Sequence, residues 1–311
     1  MGNAEEGVET MKTGNALRKG RSWLRLPKSR REFLDRAAYV SLGFVAVLLT
    51  LPFFAIILDV IVKGLPGLTP TLIWESIRNL GREGGIRNAI VGSVELVVIA
   101  SGVALPISIG AAVYTTEYSR QGRLHQIVEF TADVLAGVPS IVFGAFGYVF
   151  FVWLLRALTG GATLLSGALT LSLMMIPTVL RTSQESLRAV PITLREASLA
   201  LGATKWSTTW RVTIRACFPA IVTGILLAVA RIAGETAPLI WTTGYNSDTP
   251  WSIFDAVASL PFTIFTFAMH PDPVVNAKAY AASIVLILIV LSVDVVANWV
   301  SRRVGILVRK G

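Results

Sequence analysis

Residues 187–219 read LRAVPITLREASLALGATKWSTTWRVTIRACFP, a polar stretch between two long apolar segments. Thr193 and Glu196 have the spacing of a capping box, in which the threonine hydroxyl accepts a hydrogen bond from the amide three residues on and the glutamate accepts one from the threonine amide. The residues that follow are strong helix formers, and Gly202 can adopt the left-handed conformation that ends a helix. The pattern predicts a short helix from Thr193 to Gly202 and a second helix capped by Thr204.

The composition predicts an integral membrane protein. Of the 311 residues, 53% are hydrophobic and 15% are charged, and the mean hydropathy is +0.65. A soluble chain carries about 25% charged residues, well above this value. The formal net charge of +9 is compatible with a nucleic-acid partner, but the basic residues lie beside apolar segments. The orientation of membrane spans explains them better, so no nucleic-acid partner is predicted.

Six apolar segments are each close to the ~20 residues that a helix needs to cross a bilayer. They cover residues 37–62, 89–114, 130–155, 162–180, 216–241 and 279–300. We therefore predict an all-α integral membrane protein with six transmembrane helices. The predicted regions are a basic cytoplasmic N-terminal tail at 1–36, the first helix and an outer loop at 37–84, the remaining transmembrane domain at 85–303 with the short helix at about 193–202, and a cytoplasmic C-terminal tail at 304–311.

Lysine and arginine are unevenly divided between the two sides of the predicted spans. The N-terminal tail, the loops after the second and fourth spans and the C-terminus together hold 21, against six on the opposite side. Basic residues are enriched in cytoplasmic loops, so the side with 21 is predicted to be cytoplasmic, with both termini inside. The stretch at 187–219 then faces the cytosol.

Arg231 is the basic residue that lies inside an apolar segment, about fifteen residues into the fifth predicted span. A charge at that depth costs at least about 2.5 kcal/mol on insertion scales, so it should face the protein interior or a water-filled path. Glu235 lies four residues on, on the same face of a continuous helix and within reach of Arg231. A static, neutralising pair and a functional pair both fit. The cost of burying an ion pair favours the functional one.

Glycine and proline interrupt two of the predicted spans. In the fifth, Gly234 and Pro238 free the backbone, because proline has no amide to donate. In the third, Pro139 predicts a bend that would place the Ser140 hydroxyl near a solute path. Irregular backbone at this depth is tolerated where it lines a cavity or packs within protein. For the third span, a kink that only permits close packing explains the proline equally well.

Glu196-Ala197-Ser198 followed by Gly202 resembles the EAA loop of ABC-transporter permeases, Glu-Ala-Ala-x-x-x-Gly. In that family the short helix is the coupling helix, which docks in a groove on the ATPase subunit. The family pattern continues with Ile-x-Leu-Pro after the glycine. Here residues 212–215 are Val-Thr-Ile-Arg, so the apolar pair is kept and the proline is lost.

Four stretches, one of which contains the EAA-like motif, are similar to the phosphate-specific ABC permeases, and most of all to the PstA type. They are YTTEY at 114–118, LAGVPSIVFG at 135–144, REASLALGAT at 195–204 and ARIAGETAPL at 230–239. The resemblance covers about residues 85–303. It implies an ABC importer permease (MetI-like) fold with a cytoplasmic coupling helix, in contact with the lipid of the plasma (inner) membrane.

The resemblance also implies residue roles and partners. Coupling to the ATPase would involve Thr193, Glu196, Ala197 and Gly202. The substrate pathway would be lined by Ser140, Arg231, Glu235 and Thr236, with helix breaks at Pro139, Gly234 and Pro238. The Arg231–Glu235 pair would act as a gate with which phosphate transiently competes. The implied partners are a second permease subunit of the PstC type, a dimer of PstB-type ATPase subunits that carry the ATP and magnesium, and a phosphate-binding protein of the PstS type.

The chain contains no Gly-x-x-x-x-Gly-Lys-Ser/Thr loop, so ATP hydrolysis is expected from a separate subunit and no cofactor is expected on this chain. No nucleophile–base pair or carboxylate pair stands out, which argues against an enzyme. The single cysteine, Cys217, and two isolated histidines favour neither a disulfide nor a metal site. Two alternatives stay open: a permease for another oxyanion such as phosphonate, sulfate or molybdate, and an ATP-independent channel.

Overall fold

The computed structural model describes residues 28–119 and 122–310, and most of them are helical. The helices are α1 Lys28–Gly64, α2 Pro70–Trp74, α3 Arg87–Val113, α4 Arg123–Gly137, α5 Ser140–Gly147, α6 Arg156–Thr159, α7 Leu164–Arg188, α8 Ile192–Ala200, α9 Lys205–Thr208, α10 Ile214–Ala233, α11 Ala237–Thr242, α12 Leu260–Ala268 and α13 Pro273–Lys310. Two-residue strands, β1 Ile77–Arg78 and β2 Glu83–Gly84, form an antiparallel hairpin. Turns of π-helix extend α3 (Tyr114–Tyr118) and α5 (Tyr148–Leu154) and join α9 to α10 (Thr209–Thr213).

Five helical segments are long and apolar enough to cross a membrane. They are Asp35–Gly67, Arg87–Tyr118, Leu164–Arg188, Lys205–Ala233 and Pro273–Val296. The sixth is a bent pair, α4 with α5 and its π-turn, whose two arms meet at 108°. The all-α membrane fold is confirmed, and the predicted count of six spans holds when the bent pair is taken as one span.

Several predicted boundaries differ from those in the structure. Helix α7 continues to Arg188, beyond the predicted end at residue 180, because its polar residues there are buried against protein. Helix α10 ends at Ala233 and not at residue 241, since the chain breaks at Gly234. Helix α13 runs through the tail predicted at 304–311 as far as Lys310. Residues 1–27 of the predicted N-terminal tail lie outside the described residues, and α1 already begins at Lys28.

The described residues divide into two compact units, with the boundary between Asp59 and Val60. The described part of the first unit is the greater part of α1. Its side chains from Asp35 onward are almost all exposed, as expected of an apolar helix that is solvated by lipid tails. The second unit contains all the other elements.

The core of the second unit is the contact between α3 and α7. Helix α3 buries a stripe of residues at every fourth position, none more than 1% exposed: Leu96, Ala100, Ala104, Ser108 and Ala112. Small side chains let two helix backbones approach closely, and such packing replaces the hydrophobic effect as the force that joins helices in lipid. The Ser108 hydroxyl also donates to the Ile176 carbonyl of α7 at 3.2 Å.

Close contacts between glycine and threonine hold α5, α10 and the end of α11 against α7. A Cβ atom added at any of these glycines would overlap a threonine side chain: Gly147 at the end of α5 with Thr170 of α7, Gly224 of α10 with Thr182 of α7, and Gly167 of α7 with Thr243 after α11. The side chain of the threonine fills the space that the glycine leaves. Helix α7 is thus the central element of the second unit.

The β1–β2 hairpin is fixed to the start of α13 by charged groups. The Lys278 ammonium donates at 2.8–3.0 Å to three carbonyls, those of Gly81, Arg82 and Gly84. Arg82 also pairs with Asp272 at 2.7 Å. A hydrogen bond from the Val274 amide, followed by the Arg82 guanidinium, holds the pKa of Asp272 below its ordinary value. The hairpin lies at the opposite end of α3 from the π-turn Tyr114–Tyr118.

We predict that Gly92→Ala lowers the free energy of unfolding by about 1–3 kcal/mol, because the added methyl group would overlap the Ala258 carbonyl and the Val257 side chain. Gly102→Ala is the matched control on the same helix, since nothing lies within 4 Å of its added Cβ. It should be neutral or stabilise by up to about 1 kcal/mol through helix propensity. The measurement is the thermal midpoint of the purified protein in detergent. Equal midpoints for the two variants would contradict the packing.

Candidate functional site

The polar stretch at 187–219 forms a helical hairpin that leaves α7 and returns to α10. We call residues 191–208, which comprise α8 and α9, the α8–α9 hairpin. The hydroxyls of Ser198 and Thr208 lie 2.9 Å apart and join its two helices. Thr204 caps α9 by accepting a hydrogen bond from the Ser207 amide at 3.2 Å, so the predicted second cap is confirmed.

The capping box predicted at Thr193 and Glu196 is wrong. Helix α8 begins at Ile192, and the residue in the N-cap position is Pro191, with no side-chain cap bond. The proline ring fixes φ, here −55°, and with ψ at 137° the chain enters the helix two residues before a threonine cap would allow. Thr193 therefore lies within the first turn, and both Thr193 and Glu196 are exposed.

Gly202 ends α8 in the left-handed conformation, as predicted, with φ of 83°. The amide of Gly202 donates to the Leu199 carbonyl at 2.9 Å, and the amide of Ala203 donates to the Ser198 carbonyl at 3.2 Å. These two bonds form a Schellman motif. An added Cβ at Gly202 would meet nothing within 4 Å. The position therefore requires glycine for its backbone conformation and not for space.

The α8–α9 hairpin exposes large apolar side chains among its polar residues. The exposed residues are Ile192, Leu194, Leu199, Leu201 and Trp206, followed by Trp210 in the π-turn. Leu201 is 90% exposed, and the rings of Trp206 and Trp210 lie 5.3 Å apart. An apolar patch rimmed by polar residues is typical of a protein-docking surface. The surface has the character expected of the predicted coupling helix.

Arg195 holds the hairpin against the end of α3, a contact that the sequence reasoning missed. Its guanidinium donates twice to Glu117 Oε1, at 2.8 and 3.2 Å. It also donates to the carbonyls of Leu187 and Val190, both at 2.7 Å. The two charged residues are 78 positions apart. No local pattern connects them.

A second charged network joins α4 to the same end of α7. Arg181 forms ion pairs with Glu129 and Asp133, and the Gln184 amide donates to Glu129 at 3.0 Å. Arg181 directly follows the predicted end of the fourth span at residue 180, and its predicted place in a loop is wrong because α7 continues to Arg188. Carboxylates near the start of the third span and an arginine at the end of the fourth were the signal available in the sequence.

Both predicted helix breaks are present. Helix α4 ends at Gly137, and after Val138 and the N-cap residue Pro139 the chain begins α5. Helix α10 ends at Ala233, and Gly234 is its C-cap residue. Helix α11 begins three residues later with Pro238 in its first turn. Each break thus falls at the glycine and proline that predicted it.

The two breaks contact each other. The Ser140 hydroxyl donates to Glu235 Oε1 at 3.2 Å. A Cβ atom added at Gly144 would lie 2.8 Å from Pro238 Cα, so α5 and α11 approach closely. Thr236 stands in the N-cap position of α11, is half-buried and makes no side-chain cap bond. Ser140 and Glu235 are therefore in contact, Thr236 follows Glu235 in the chain, and the bend also permits close packing. That these three residues line a substrate path stays a prediction.

The predicted pairing of Arg231 with Glu235 is wrong in this conformation. Among the described residues, Arg231 is exposed and takes part in none of the ion pairs, and the hydrogen-bond partner of Glu235 is Ser140. The Gly234 amide donates to the Arg231 carbonyl and the Glu235 amide to that of Ile232, each three residues back. The tightened turn rotates Glu235 away from the face it would share with Arg231 in a continuous α-helix.

Within residues 28–119 and 122–310, no group of three or more histidine, cysteine, aspartate or glutamate side chains is placed to hold a metal ion. Cys217 is buried, and its thiol lies 3.2 Å from the Thr213 carbonyl. That this chain binds no cofactor stays a prediction.

Broken spans that meet at a carboxylate, together with an exposed hairpin at one end of the bundle, are features of multi-pass membrane permeases. The chain belongs to the family of binding-protein-dependent transport system inner membrane components, whose model matches residues 104–306. It is 36% identical to the phosphate transport system permease protein PstA of Haemophilus influenzae over 82% of this chain and 90% of that protein.

Two solved structures have the same fold. One is a bacterial alginate ABC transporter in complex with a periplasmic protein bound to an alginate pentasaccharide, with a TM-score of 0.63 and 15% identity over 89% of this chain and 96% of that one. The other is the inward-facing MetNI methionine ABC transporter, with a TM-score of 0.54 and 17% identity over 70% of this chain and 95% of that one. The predicted MetI-like ABC permease fold is therefore confirmed.

We predict that Gly202→Val loosens the end of α8, because a β-branched residue at φ of 83° is strained by about 1–3 kcal/mol. Gly202→Asn is the matched control, since asparagine tolerates the left-handed conformation. Amide hydrogen exchange of a peptide that covers residues 198–204 should be roughly tenfold faster or more in the valine variant and near wild type in the asparagine variant. Wild-type exchange in the valine variant would show that the Schellman bonds do not hold this turn.

Proposed function

We propose that this chain is one permease subunit of an ATP-driven importer of inorganic phosphate. The observation that carries the proposal is the likeness to PstA, which extends over 82% of this chain. The chain itself catalyses no reaction in this proposal. It provides part of the path by which phosphate crosses the membrane, and ATP hydrolysis by a separate subunit supplies the energy.

Arg231 is the residue to which we assign the contact with phosphate. It lies near the end of a membrane-spanning segment and is exposed on the surface of this chain. A guanidinium in hydrocarbon is costly, so in this proposal the surface that carries Arg231 faces water or another protein subunit and not lipid tails. The planar fork of donors fits the oxygens of a phosphate anion.

The separation of Glu235 from Arg231 modifies the gate inferred from the sequence. Ser140 donates to the Glu235 carboxylate, and this leaves the guanidinium without a carboxylate partner among the described residues. In the proposed path, Arg231 attracts the anion while Glu235 stays at the junction of the two helix breaks. We propose that Ser140 and Thr236 line the path beside it, and that the breaks at Pro139, Gly234 and Pro238 allow the two junctions to move relative to each other.

We propose that the partners are those of a binding-protein-dependent importer. The exposed apolar side chains of the α8–α9 hairpin would dock on an ATPase subunit of the PstB type, with Thr193, Glu196, Ala197 and Gly202 in or beside the contact. The surface that carries Arg231 would face a second permease of the PstC type. A phosphate-binding protein of the PstS type would dock on the β1–β2 side. Both termini would then be cytoplasmic, as the distribution of basic residues favours.

The test is transport by the complete four-protein complex in lipid vesicles. Uptake of radiolabelled phosphate should require ATP, the ATPase subunit and the binding protein. Sulfate, molybdate and a phosphonate, each tested at the same concentration, should be transported poorly. Preferential uptake of one of those anions would replace phosphate as the substrate, and uptake without ATP would point to a channel.

We predict that Arg231→Gln lowers phosphate uptake at least tenfold with the complex still assembled, because charge-assisted hydrogen bonds worth about 1.5–3 kcal/mol are lost. Arg231→Lys keeps the charge but not the planar fork and should give an intermediate rate. Arg188→Gln is the matched control, since Arg188 is 54% exposed and pairs with Glu129 at 3.3 Å, away from the helix breaks. Near-normal uptake by Arg231→Gln would remove Arg231 from the path.

A further inference from the structure

The ion pair between Glu117 and Arg195 is more buried than the other ion pairs of the described residues. Its side chains are 9% and 19% exposed, whereas Arg188 and Asp133, which pair with other residues at the same end of the bundle, are 54% and 68% exposed. A buried ion pair is an expensive way to hold two helices together, because apolar residues would do so without the desolvation cost. Unlike an apolar contact, the ion pair has directional hydrogen bonds, which fix both the distance and the relative orientation of the two helices.

The Arg195 guanidinium joins three elements at one point. It lies on α8, bonds the carboxylate at the π-turn that ends α3, and bonds the Leu187 carbonyl in the last turn of α7. The bond to the Val190 carbonyl also fixes the three-residue linker between α7 and α8. All five guanidinium N–H groups are carried on a rigid plane, so the three elements cannot rotate independently while these bonds hold.

A second contact connects the same two regions. The Lys205 ammonium of α9 lies over the ring of Tyr118, 5.2 Å from its centroid. Tyr118 is the neighbour of Glu117 in the π-turn, and Lys205 belongs to the helix that Ser198 and Thr208 tie to α8. The α8–α9 hairpin is therefore attached to α3 through both of its helices.

We propose that Glu117 and Arg195 are positioning residues that make the α8–α9 hairpin move as one body with α3 and α7. This inference rests on the proposed function and states how a movement of the ATPase would be transmitted through the hairpin to the transmembrane helices. Without the pair, a displacement of the hairpin would be absorbed by rotation in the linker at residues 189–191. With the pair, the displacement is delivered to the α3–α7 core and from there to α10, which carries Arg231.

The experiment uses the whole complex with Glu117→Gln. This substitution removes the negative charge and weakens the two Arg195 hydrogen bonds to this side chain, because an amide oxygen is a poorer acceptor than a carboxylate. The Arg195 bonds to the two carbonyls stay in place. ATP hydrolysis and phosphate uptake are measured in the same vesicles. We expect co-purification of all four proteins, hydrolysis within about twofold of wild type, and a fall of at least fivefold in phosphate molecules transported per ATP. Glu185→Gln is the matched control, an exposed glutamate on α7 whose replacement should leave that ratio unchanged.

A cross-link tests whether a physical connection between positions 117 and 195 is sufficient to couple ATP hydrolysis to transport. Glu117→Cys with Arg195→Cys, in a Cys217→Ser background, should uncouple hydrolysis from transport. A thiol cross-linker about as long as the two original side chains should restore at least half of the wild-type ratio, which a merely structural role would not predict. Cross-linking of the double variant is confirmed by mass spectrometry of the peptides.

The outcomes separate this inference from the proposed function. If the wild-type complex transports phosphate with ATP but Glu117→Gln keeps the wild-type ratio, only the inference fails. It also fails if hydrolysis and uptake fall in proportion, or if the variant no longer assembles and the cross-linked double variant stays uncoupled. If the wild-type complex does not transport phosphate with ATP, the proposed function fails and the inference is overturned with it.

Discussion

The close approach of α3 and α7 is the constraint on which the rest of the second unit depends. In lipid, helices gain little from burying apolar surface against each other, so small residues that bring backbones together must supply the association. The stripe from Leu96 to Ala112 does this on α3, and glycine–threonine contacts do it for the helices around α7. A bundle held this way has little tolerance for added volume along the stripe. The α3–α7 pair therefore forms a stiff axis, and the broken helices around it can shift relative to this axis.

Two sites along that axis carry different chemistry. At one end, Arg195 gathers the π-turn of α3, the last turn of α7 and the α8–α9 hairpin around one guanidinium. Further along α7, the breaks of the α4–α5 and α10–α11 spans meet at Ser140 and Glu235. At both sites a charged or polar side chain lies at a helix end, where backbone groups lack hydrogen-bond partners within the helix. Helix α7 connects them, because Arg195 bonds its Leu187 carbonyl and because α5, α10 and α11 pack against it.

Much of the fold could be read from the chain because its signals are local. Apolar runs of the length of a bilayer located all six spans, and glycine with proline located both breaks, at Pro139 and at Gly234. Gly202 was recognisable as a helix end because a left-handed residue favours glycine. The wrong predictions arose where a rule for a regular helix was applied to residues at which the helix begins or breaks. The spacing of Arg231 and Glu235 predicts a pair only in a continuous helix, and Pro191 set the start of α8 ahead of Thr193.

Contacts between distant positions could not be predicted in this way. Glu117 and Arg195 each look like an ordinary charge beside a membrane span, and only the packing of α8 against α3 brings them together. The exposure of Arg231 has a consequence for inheritance. If the proposed second permease is a different polypeptide and faces Arg231, the path is encoded by two genes at once. In that case, changes on this face would be suppressed by compensating changes in the gene of the second permease, and the two coding sequences would be transmitted as a pair.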